Sequence, residues 1–350
     1  MTVTSSPAAY AAATERAIVV RRADRGVHRV FGRDPVKMVH GLVTNDVQSL
    51  AVGGARYAVM LTVKGRMVAD VRIVRRAADL LIEADTAALP HVQDTLKKFV
   101  PPLFARSEDV SATFAIVGVY GPSARDILHS VLAGEVPVPD DDDDVRSRTL
   151  NAAVPDDLAE DDGVLAVFDD ASVHVIRTGE AGVDGYDIIA PTTHADALVL
   201  ALDAAGAVPA ARETVEVLRI EAGRPRWGAE LGEDVIPIEA GLLDRAISTT
   251  KGCYTGQEVI IRILHRGHVN RHLRGLLMGD AVAAPGTELF REGEPKPVGR
   301  ITSACLSPRF GRVVALGYVR REVEPGAVVR TGSPDGAAAE VVELPFAPAD

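Results

Sequence analysis

The stretch Lys251-Gly-Cys-Tyr-Thr-Gly-Gln-Glu258 places two glycines among side chains that can bind or react. Gly252 and Gly256 permit positive φ angles and the close approach of a ligand to the backbone. Binding and catalytic residues concentrate in loops held by a rigid scaffold. The stretch therefore predicts a functional loop, and its structural alternative is a tight turn that leads into a helix at Gln257. The side chains in question are Lys251, Cys253, Tyr254, Gln257 and Glu258.

A basic segment follows this loop. The whole chain carries a net charge of -11, so a basic segment of this kind indicates a local anion site. Arginine forks match the geometry of carboxylates and phosphates. A solvated face with surface ion pairs is the alternative. A zinc site at His265 and His268 is not predicted, because these two lack a third ligand at suitable spacing. The segment contains Arg262, His265, Arg266, His268, Arg271, His272 and Arg274.

Composition limits the possible functions further. With 350 residues, of which 47% are hydrophobic, the chain is long enough for two or three domains. Its acidity excludes the use of the whole surface for binding nucleic acid or anionic lipid. The two cysteines, Cys253 and Cys305, form no CxxC motif. This excludes a disulfide scaffold, a structural zinc site and an iron–sulfur cluster held by this chain alone, and no metal site is predicted.

No targeting or membrane segment is predicted. Residues 1–13 lack a basic region followed by an apolar one, so they are interpreted as a disordered tail and not as a signal peptide. The apolar run at 195–211 is too short and too charged to span a bilayer. The expected location is the cytoplasm, and the low cysteine content fits a reducing compartment.

Apolar periodicity predicts an α+β fold that is mostly antiparallel. After Arg274 the chain changes to short β-rich runs separated by glycine and proline, which predict a small all-β barrel or sandwich. Five consecutive aspartates at 140–144 favour a solvated acidic loop over a calcium loop. Helices are predicted over 34–50, 86–99, 123–132, 194–205 and 214–223. Strands are predicted over 17–22, 55–62, 67–75, 80–84, 110–120, 164–168, 173–177 and 186–190.

The loop at 251–258 matches the KGCYxGQE signature of the YgfZ-type folate-binding proteins, which the chain resembles. The runs at 219–241, His40-Gly-Leu-Val-Thr-Asn-Asp46 and Lys64-Gly-Arg-Met-Val-Ala-Asp70 stand in the expected order. That family is similar to the glycine-cleavage T-protein. The resemblance implies a three-domain cloverleaf, in which two antiparallel α+β domains and a C-terminal β-barrel surround a central channel.

The resemblance also implies how the domains divide the chain. Residues 1–32 with 115–210 would form the first α+β domain. Residues 33–114 with 211–266 would form the second, which carries the loop at 251–258. Residues 267–350 would form the barrel.

The function implied by the resemblance is that of a tetrahydrofolate-binding accessory protein rather than a conventional enzyme. It would support the assembly or repair of iron–sulfur enzymes, including radical-SAM enzymes that methylthiolate tRNA. Its partners would be folate and iron–sulfur client enzymes or assembly proteins, with no sequence-specific binding of nucleic acid. A folate-dependent aminomethyltransferase or methyltransferase of the T-protein type is the alternative. A protein-interaction scaffold with an empty channel is a third possibility.

The resemblance implies folate-binding roles for several residues. The carboxylate of Glu230 would accept hydrogen bonds from the pterin, although an exposed loop carboxylate is the alternative. Trp227 would stack on an aromatic ring of the folate or lie in the core. Tyr254 and Gln257 would contact the folate from the loop. The candidates for the anionic tail are Arg262, Arg266 and Arg271.

Three further residues, Asp70, Lys251 and Cys253, are candidates for chemistry. Asp70 lies where the T-protein has a catalytic aspartate, and a hairpin-end aspartate is the alternative. A thiolate at Cys253 would be activated in a glycine-rich loop beside Lys251, and a small buried hydrophobe is the alternative. Cys305 is expected in the core of the barrel.

Overall fold

The computed structural model describes residues 2–132, 154–278 and 284–347, and the aspartate run at 140–144 lies outside them. The strands are β1 (Ile18–Arg21), β2 (Arg25–Gly32), β3 (Ala55–Leu61), β4 (Met67–Arg75), β5 (Asp79–Asp85), β6 (Ala105–Asp109), β7 (Phe114–Tyr120), β8 (Gly163–Phe168), β9 (Ala171–Arg177), β10 (Gly185–Pro191), β11 (Val208–Pro209), β12 (Arg271–Met278), β13 (Glu288–Phe290), β14 (Pro297–Ser307), β15 (Arg312–Arg320), β16 (Val328–Thr331) and β17 (Ala337–Val342). The α-helices are α1 (Pro7–Glu15), α2 (Pro35–His40), α3 (Leu89–Phe99), α4 (Ala124–Val131), α5 (Ala195–Ala204), α6 (Arg212–Glu221), α7 (Leu243–Ala246) and α8 (Gln257–Arg266).

Two sheets form the first two-thirds of the molecule. A six-stranded sheet has the order β11-β1-β7-β10-β9-β8, and only its β1–β11 pair is parallel. A five-stranded antiparallel sheet has the order β3-β4-β5-β2-β6. Four of the nine strand pairs in the two sheets are consecutive along the chain, as antiparallel neighbours joined by short turns can be, and the other five need longer connections. Helices α4 and α5 cover the first sheet, and α3 packs on the second.

The third unit is a closed barrel with the order β12-β15-β14-β13-β16-β17. Its interior is filled by aliphatic side chains, among them Leu276, Ile301 and Val341. Helix α6 packs against β14 and β15 and joins the barrel to the rest of the molecule. Two α+β units and a C-terminal barrel confirm the predicted fold class.

The chain crosses between the two sheets early. Strand β1 lies in the six-stranded sheet, but β2, only four residues later, lies in the five-stranded one. The predicted division placed all of 1–32 with the first domain, so the structure differs from it over β2. The remaining boundaries stay a prediction.

Local differences from the predicted elements have simple causes. The helix predicted over 34–50 ends at His40, because Gly41 and the turn residues after it leave the helix. Residues 7–15 form a helix in place of the predicted disordered tail. Proline at its first position starts the helix, and Ala9, Ala12 and Ala13 are small enough to bury it against the six-stranded sheet.

Charged side chains are buried where the two sheets meet. Arg72 on β4 donates to Glu83 on β5 and, across the interface, to Asp187 on β10. Arg25 on β2 also donates to Glu83, and Tyr120 donates to Asp187 with an oxygen–oxygen distance of 2.6 Å. We call these five side chains the buried ion network. Because the hydrogen bonds of Arg72 and Asp187 run from one sheet to the other at a buried interface, the network fixes how the sheets face each other.

No helix in the described part of the chain is both long and apolar enough to span a bilayer.

Candidate functional site

The loop at 251–258 is tied to the segment at 40–46 by the ammonium of Lys251. Its Nζ donates to the backbone oxygens of His40, Val43 and Asn45 at 2.6, 2.7 and 3.1 Å. Burial lowers the pKa of Lys251 to about 8. The carbonyl of His40 lies at the end of α2, where a cation is favoured. The lysine therefore holds the two sequence motifs together.

Backbone contacts strengthen this connection. The amide of Thr255 donates to the oxygen of Gly41 at 3.2 Å, and the amide of Ser248 donates to the oxygen of Thr44 at 3.0 Å. The hydroxyl of Thr44 donates in turn to the oxygen of Ala246 at 2.6 Å. Since these bonds lie on both sides of Lys251, the loop has a defined position.

The third motif, at 64–70, meets the same loop through two glycines. Gly256 has a φ of +83°, and a Cβ there would lie 2.6 Å from the oxygen of Thr62. Gly65 has a φ of +70°, and a Cβ there would lie 2.8 Å from Val259. Only glycine fits either position, because both combine a left-handed backbone with close contact. The tip of the β3–β4 hairpin can thus pack against the start of α8.

The two cysteines differ in their surroundings. Cys253 is exposed on the loop, whereas Cys305 is fully buried in β14, as predicted. Burial raises the pKa of the Cys305 thiol well above its usual range. Of these two thiols, the one that solvent can reach is therefore the one on the loop.

An inner cavity of about 30 Å³ lies beside Asp70, between the two sheets. Tyr57 donates to Asp70 Oδ2 at 3.2 Å, but Asp70 Oδ1 is buried without a hydrogen-bond partner. Arg72 Nη1, on the same cavity, is also buried and unpartnered. Burial raises the pKa of Asp70, although Arg25 opposes the shift. Buried polar atoms normally have partners, so the pair indicates room for a bound polar group or water.

A larger outer cavity of about 590 Å³ adjoins the inner one, because Arg224 and Arg245 line both. Arg245 makes a two-pronged ion pair with Asp161 at 2.5 and 2.7 Å. Its guanidinium lies 4.1 Å from the ring centre of Tyr57. Residues 248–250, directly before Lys251, form part of the wall. The functional loop therefore borders this cavity.

One cation of the outer cavity has no acidic partner among the described residues. Arg56 on β3 lines the cavity, and its Nε atom is buried without a hydrogen bond. An unpaired arginine fork in a concave site suits a carboxylate or phosphate. Within the same described residues, no cluster of three or more histidine, cysteine or acidic side chains could hold a metal ion.

Comparison with known proteins agrees with this architecture. The GCVT N-terminal domain matches residues 8–142 and 163–251, and the glycine cleavage T-protein C-terminal barrel domain matches residues 271–347. The chain belongs to the glycine cleavage T-protein family.

Relatives of this T-protein family member match along most of their length. The aminomethyltransferase of Rubrobacter xylanophilus is 30% identical over 320 residues, covering 90% of this chain and 79% of that protein. The aminomethyltransferase of Thermus thermophilus is 28% identical over 355 residues, covering 98% and 92%. The crystal structure of glycine cleavage system aminomethyltransferase T from Bartonella henselae has the same fold, with a TM-score of 0.79 at 22% identity over 97% of this chain and 89% of that one.

Glu230 has a different environment in this T-protein family member from the one predicted. Its side chain is buried, and both carboxylate oxygens already accept hydrogen bonds. Arg219 donates to one oxygen at 2.8 Å, while Thr302 and Ser303 donate to the other at 2.8 and 2.6 Å. These contacts join α6 to the barrel and leave no free oxygen for a pterin.

The aromatic candidates lie in the core. Trp227 and Tyr254 are both at least nine-tenths buried, and both belong to the hydrophobic cluster that packs against the five-stranded sheet. The indole of Trp227 is tilted against the ring of His91, 6.2 Å away. Gln257 is half-buried at the first position of α8. Neither cavity is lined by any of the three, so their predicted folate contacts gain no support.

The three predicted tail-binding arginines do not line the two cavities either. Arg262 and Arg266 are exposed on α8, and Arg262 pairs with Glu258 one turn earlier. Arg271 starts the barrel and faces a separate cavity. The basic segment is therefore dispersed along a helix and a strand rather than gathered at the site.

Sequence reasoning identified Asp70 on β4 but missed three other residues that line the inner cavity, Arg25, Tyr57 and Arg72. Tyr57 and Arg72 each interrupt an apolar strand with a polar side chain, and Arg25 is the first residue of β2. A charged residue in the middle of a buried strand is costly unless it is paired. That signal was available at Arg72, which stands between Val71 and Ile73.

Removing the ammonium of Lys251 should loosen the loop. In Lys251→Met, three backbone oxygens lose a charged donor, so we expect the free energy of unfolding to fall by about 2 kcal/mol. Amide hydrogen exchange should quicken at 248–256. Lys98→Met, an exposed lysine at the end of α3, is the control and should leave both quantities unchanged. Equal exchange rates in the two variants would show that Lys251 does not hold the loop.

Proposed function

We propose that this chain binds a tetrahydrofolate at the inner and outer cavities. The glycine cleavage T-protein family uses tetrahydrofolate. The observation that carries the proposal is the pair of unpartnered buried atoms, Asp70 Oδ1 and Arg72 Nη1, at the base of a cavity large enough for a small ligand. The inner space by itself holds about one water, so the ligand has to use the outer cavity.

The residues present fit the chemistry of a folate. A pterin offers N–H donors, and Asp70 has a free acceptor oxygen. The tail of a folate is anionic, and Arg56 is an unpaired cation on the outer cavity. When bound, the folate supplies a carrier for a one-carbon unit.

The chain's own contribution is to position the ligand. Tyr57 orients the carboxyl of Asp70 through a hydrogen bond, and burial raises the pKa of that carboxyl while the nearby charge of Arg25 opposes the shift. The ion pairs of Arg224 with Glu160 and of Arg245 with Asp161 lie where the two cavities share lining residues. These pairs would limit entry of water to the ligand.

Two activities are compatible with folate binding. The comparisons favour aminomethyl transfer, because both relatives described above are named aminomethyltransferase. Asp70, at the base of the cavity, would be the acid–base residue in that case.

A second activity, favoured by the exposed thiol, is that of an accessory factor of the YgfZ type. In this role the protein would support iron–sulfur enzymes in the cytoplasm, including those that methylthiolate tRNA, and Cys253 would be the functional group. Its support is that three separated motifs meet at the loop that presents Cys253 to solvent. A loop fixed by so many contacts suits a thiol that must meet a partner in a defined orientation.

Calorimetric titration with tetrahydrofolate tests the binding proposal. Asp70→Asn removes a charged acceptor, so we expect binding to weaken by about 10-fold or more. Asp94→Asn, an exposed carboxylate on α3, is the matched control and should bind like the wild type. If the wild type gives no heat, or if both variants bind equally well, the site is not a folate site.

A glycine-cleavage assay with a lipoyl carrier then separates the two activities. Turnover by the wild type that is lost in Asp70→Asn would establish aminomethyl transfer. Binding of tetrahydrofolate without turnover would favour the accessory role.

A further inference from the structure

A third cavity, of about 400 Å³, lies on the outside of the barrel. It shares no lining residue with the inner and outer cavities. Three arginines line it, one from each of three adjacent strands: Arg271 on β12, Arg300 on β14 and Arg320 on β15. The chain as a whole has a net charge of -11, so three neighbouring arginines form a locally positive region on its surface.

Strand register places these arginines on one face of the sheet. Arg271 is directly opposite Arg320, and Arg300 is directly opposite Tyr318, two residues before Arg320. Residues two apart on a strand share a face, so Arg300 and Arg320 are diagonal neighbours. Like charges directly opposite each other on neighbouring strands are destabilising. The barrel therefore tolerates a repulsion that any neutral residue at 320 would remove.

The acidic groups nearby compensate only part of this charge. Arg271 is paired with Glu239 at 3.0 Å and with the exposed carboxylate of Asp234 at 3.4 Å. Arg320 reaches Glu322 only at 3.9 Å, and both side chains are about half exposed.

Arg300 has no ion pair among the described residues, although Glu288 faces it across the β13–β14 pair. Of the residues that line the cavity, three are cationic and one, Asp234, is anionic. Arg271 is therefore already paired, whereas Arg300 and Arg320 have no close carboxylate partner in the described part of the chain and are available to a ligand.

One arginine is already held in position. The guanidinium of Arg271 lies 4.5 Å from the ring centre of Tyr318, and the hydroxyl of Tyr318 donates to the oxygen of Glu230 at 3.0 Å. Stacking and pairing reduce the freedom that an arginine loses when it binds an anion. Arg300 and Arg320 remain exposed and can close on a ligand from the rim.

We propose that this face of the barrel binds a phosphate-bearing ligand, such as a nucleotide or a pyrophosphate group, between Arg271, Arg300 and Arg320. A phosphate group carries up to two negative charges and several acceptor oxygens, so it can engage the exposed guanidiniums of Arg300 and Arg320 beside the fixed Arg271 better than a single carboxylate can. The site is independent of folate binding, because the two cavities assigned to folate lie elsewhere.

Titration calorimetry of the full-length protein with inorganic pyrophosphate at low salt tests the proposal. Arg300→Gln and Arg320→Gln should each weaken binding by about 10-fold, since each removes one charge-assisted contact. Arg312→Gln, an exposed arginine at the other end of β15 that does not line the cavity, is the matched control and should bind like the wild type. All three positions are exposed, so the variants should unfold at the same temperature as the wild type.

Two results would overturn the proposal. One is an equal loss of affinity in Arg300→Gln, Arg320→Gln and Arg312→Gln. This would mean that the affinity for pyrophosphate depends only on the net charge of the protein. The other is equal affinity for pyrophosphate and for a dicarboxylate such as malonate, which would exclude phosphate as the preferred group. Tetrahydrofolate binding should be unchanged in Arg300→Gln and Arg320→Gln, so failure of this site and failure of the folate site can be told apart.

Discussion

Replacing Arg72 by methionine should lower the free energy of unfolding by about 3–5 kcal/mol, because breaking one partner of a buried ion pair leaves an uncompensated charge. Arg72 is almost completely buried and donates to both Glu83 and Asp187. Asp187 would keep the hydroxyl of Tyr120 at 2.6 Å and a longer ion pair with Arg22 at 3.9 Å. Glu83 would keep only Arg25.

The pKa of Glu83 shows how strongly this carboxylate depends on its partners. Burial by itself raises the pKa, yet Arg25 and Arg72 together hold it well below its usual range. Since the charged form is maintained by two cations, loss of one of them weakens the folded state rather than the unfolded one.

Urea denaturation followed by circular dichroism and by the fluorescence of Trp227 measures the effect of Arg72→Met. The tryptophan reports on the core of the five-stranded sheet, and circular dichroism reports on all three units. Arg33→Met, whose side chain is 73% exposed, is the control and should change stability by less than about 1 kcal/mol. A loss in Arg72→Met as small as that in Arg33→Met would mean that the buried ion network does not stabilise the interface.

Replacing Cys253 by serine should abolish the accessory role. If the thiol is the functional group, complementation of a strain that lacks the homologue fails completely with Cys253→Ser. Folate binding should be unaffected, because Cys253 lines neither of the two folate cavities. Loss of complementation with intact binding would separate the thiol from the folate site.

Cys305→Ala is the matched control for this experiment. Its sulfur is buried in the barrel, 3.9 Å from the oxygen of Val217, so it should complement like the wild type. Iodoacetamide should label the native protein at Cys253 and leave Cys305 unmodified, since only the former is exposed. Full rescue by Cys253→Ser would remove the thiol from the mechanism and leave aminomethyl transfer as the activity to pursue.

The architecture could be predicted from the sequence because it depends on local patterns. Alternating apolar residues identified most strands. The change after Arg274 to short β-rich runs separated by glycine and proline predicted the barrel. Strands β2 and β6 were missed. The second of these has the sequence Ala-Arg-Ser-Glu-Asp and lies at the edge of its sheet, where charged residues protect against unwanted pairing but hide the strand pattern.

The site could be predicted only in part, because its residues come together from distant positions. The sequence identified the loop at 251–258 and Asp70, but spacing does not reveal that Lys251 reaches the oxygen of His40. Nor does it reveal that Thr302 and Ser303 occupy the carboxylate of Glu230. Glu230 was assigned to a ligand because Thr302 and Ser303 lie more than 70 positions away along the chain and only the fold brings them close.

The early crossing between sheets has a consequence for synthesis of the protein on the ribosome. The five-stranded sheet has all its strands once β6 has emerged. Strand β1, made first, cannot complete its own sheet until β11 appears almost 190 residues later. During translation the apolar strand at 18–21 is therefore made long before its sheet is complete. Helix α1 is the first element that can pack on it. Pairings over such separations are slow to form, so this N-terminal segment is where a chaperone would be needed during elongation.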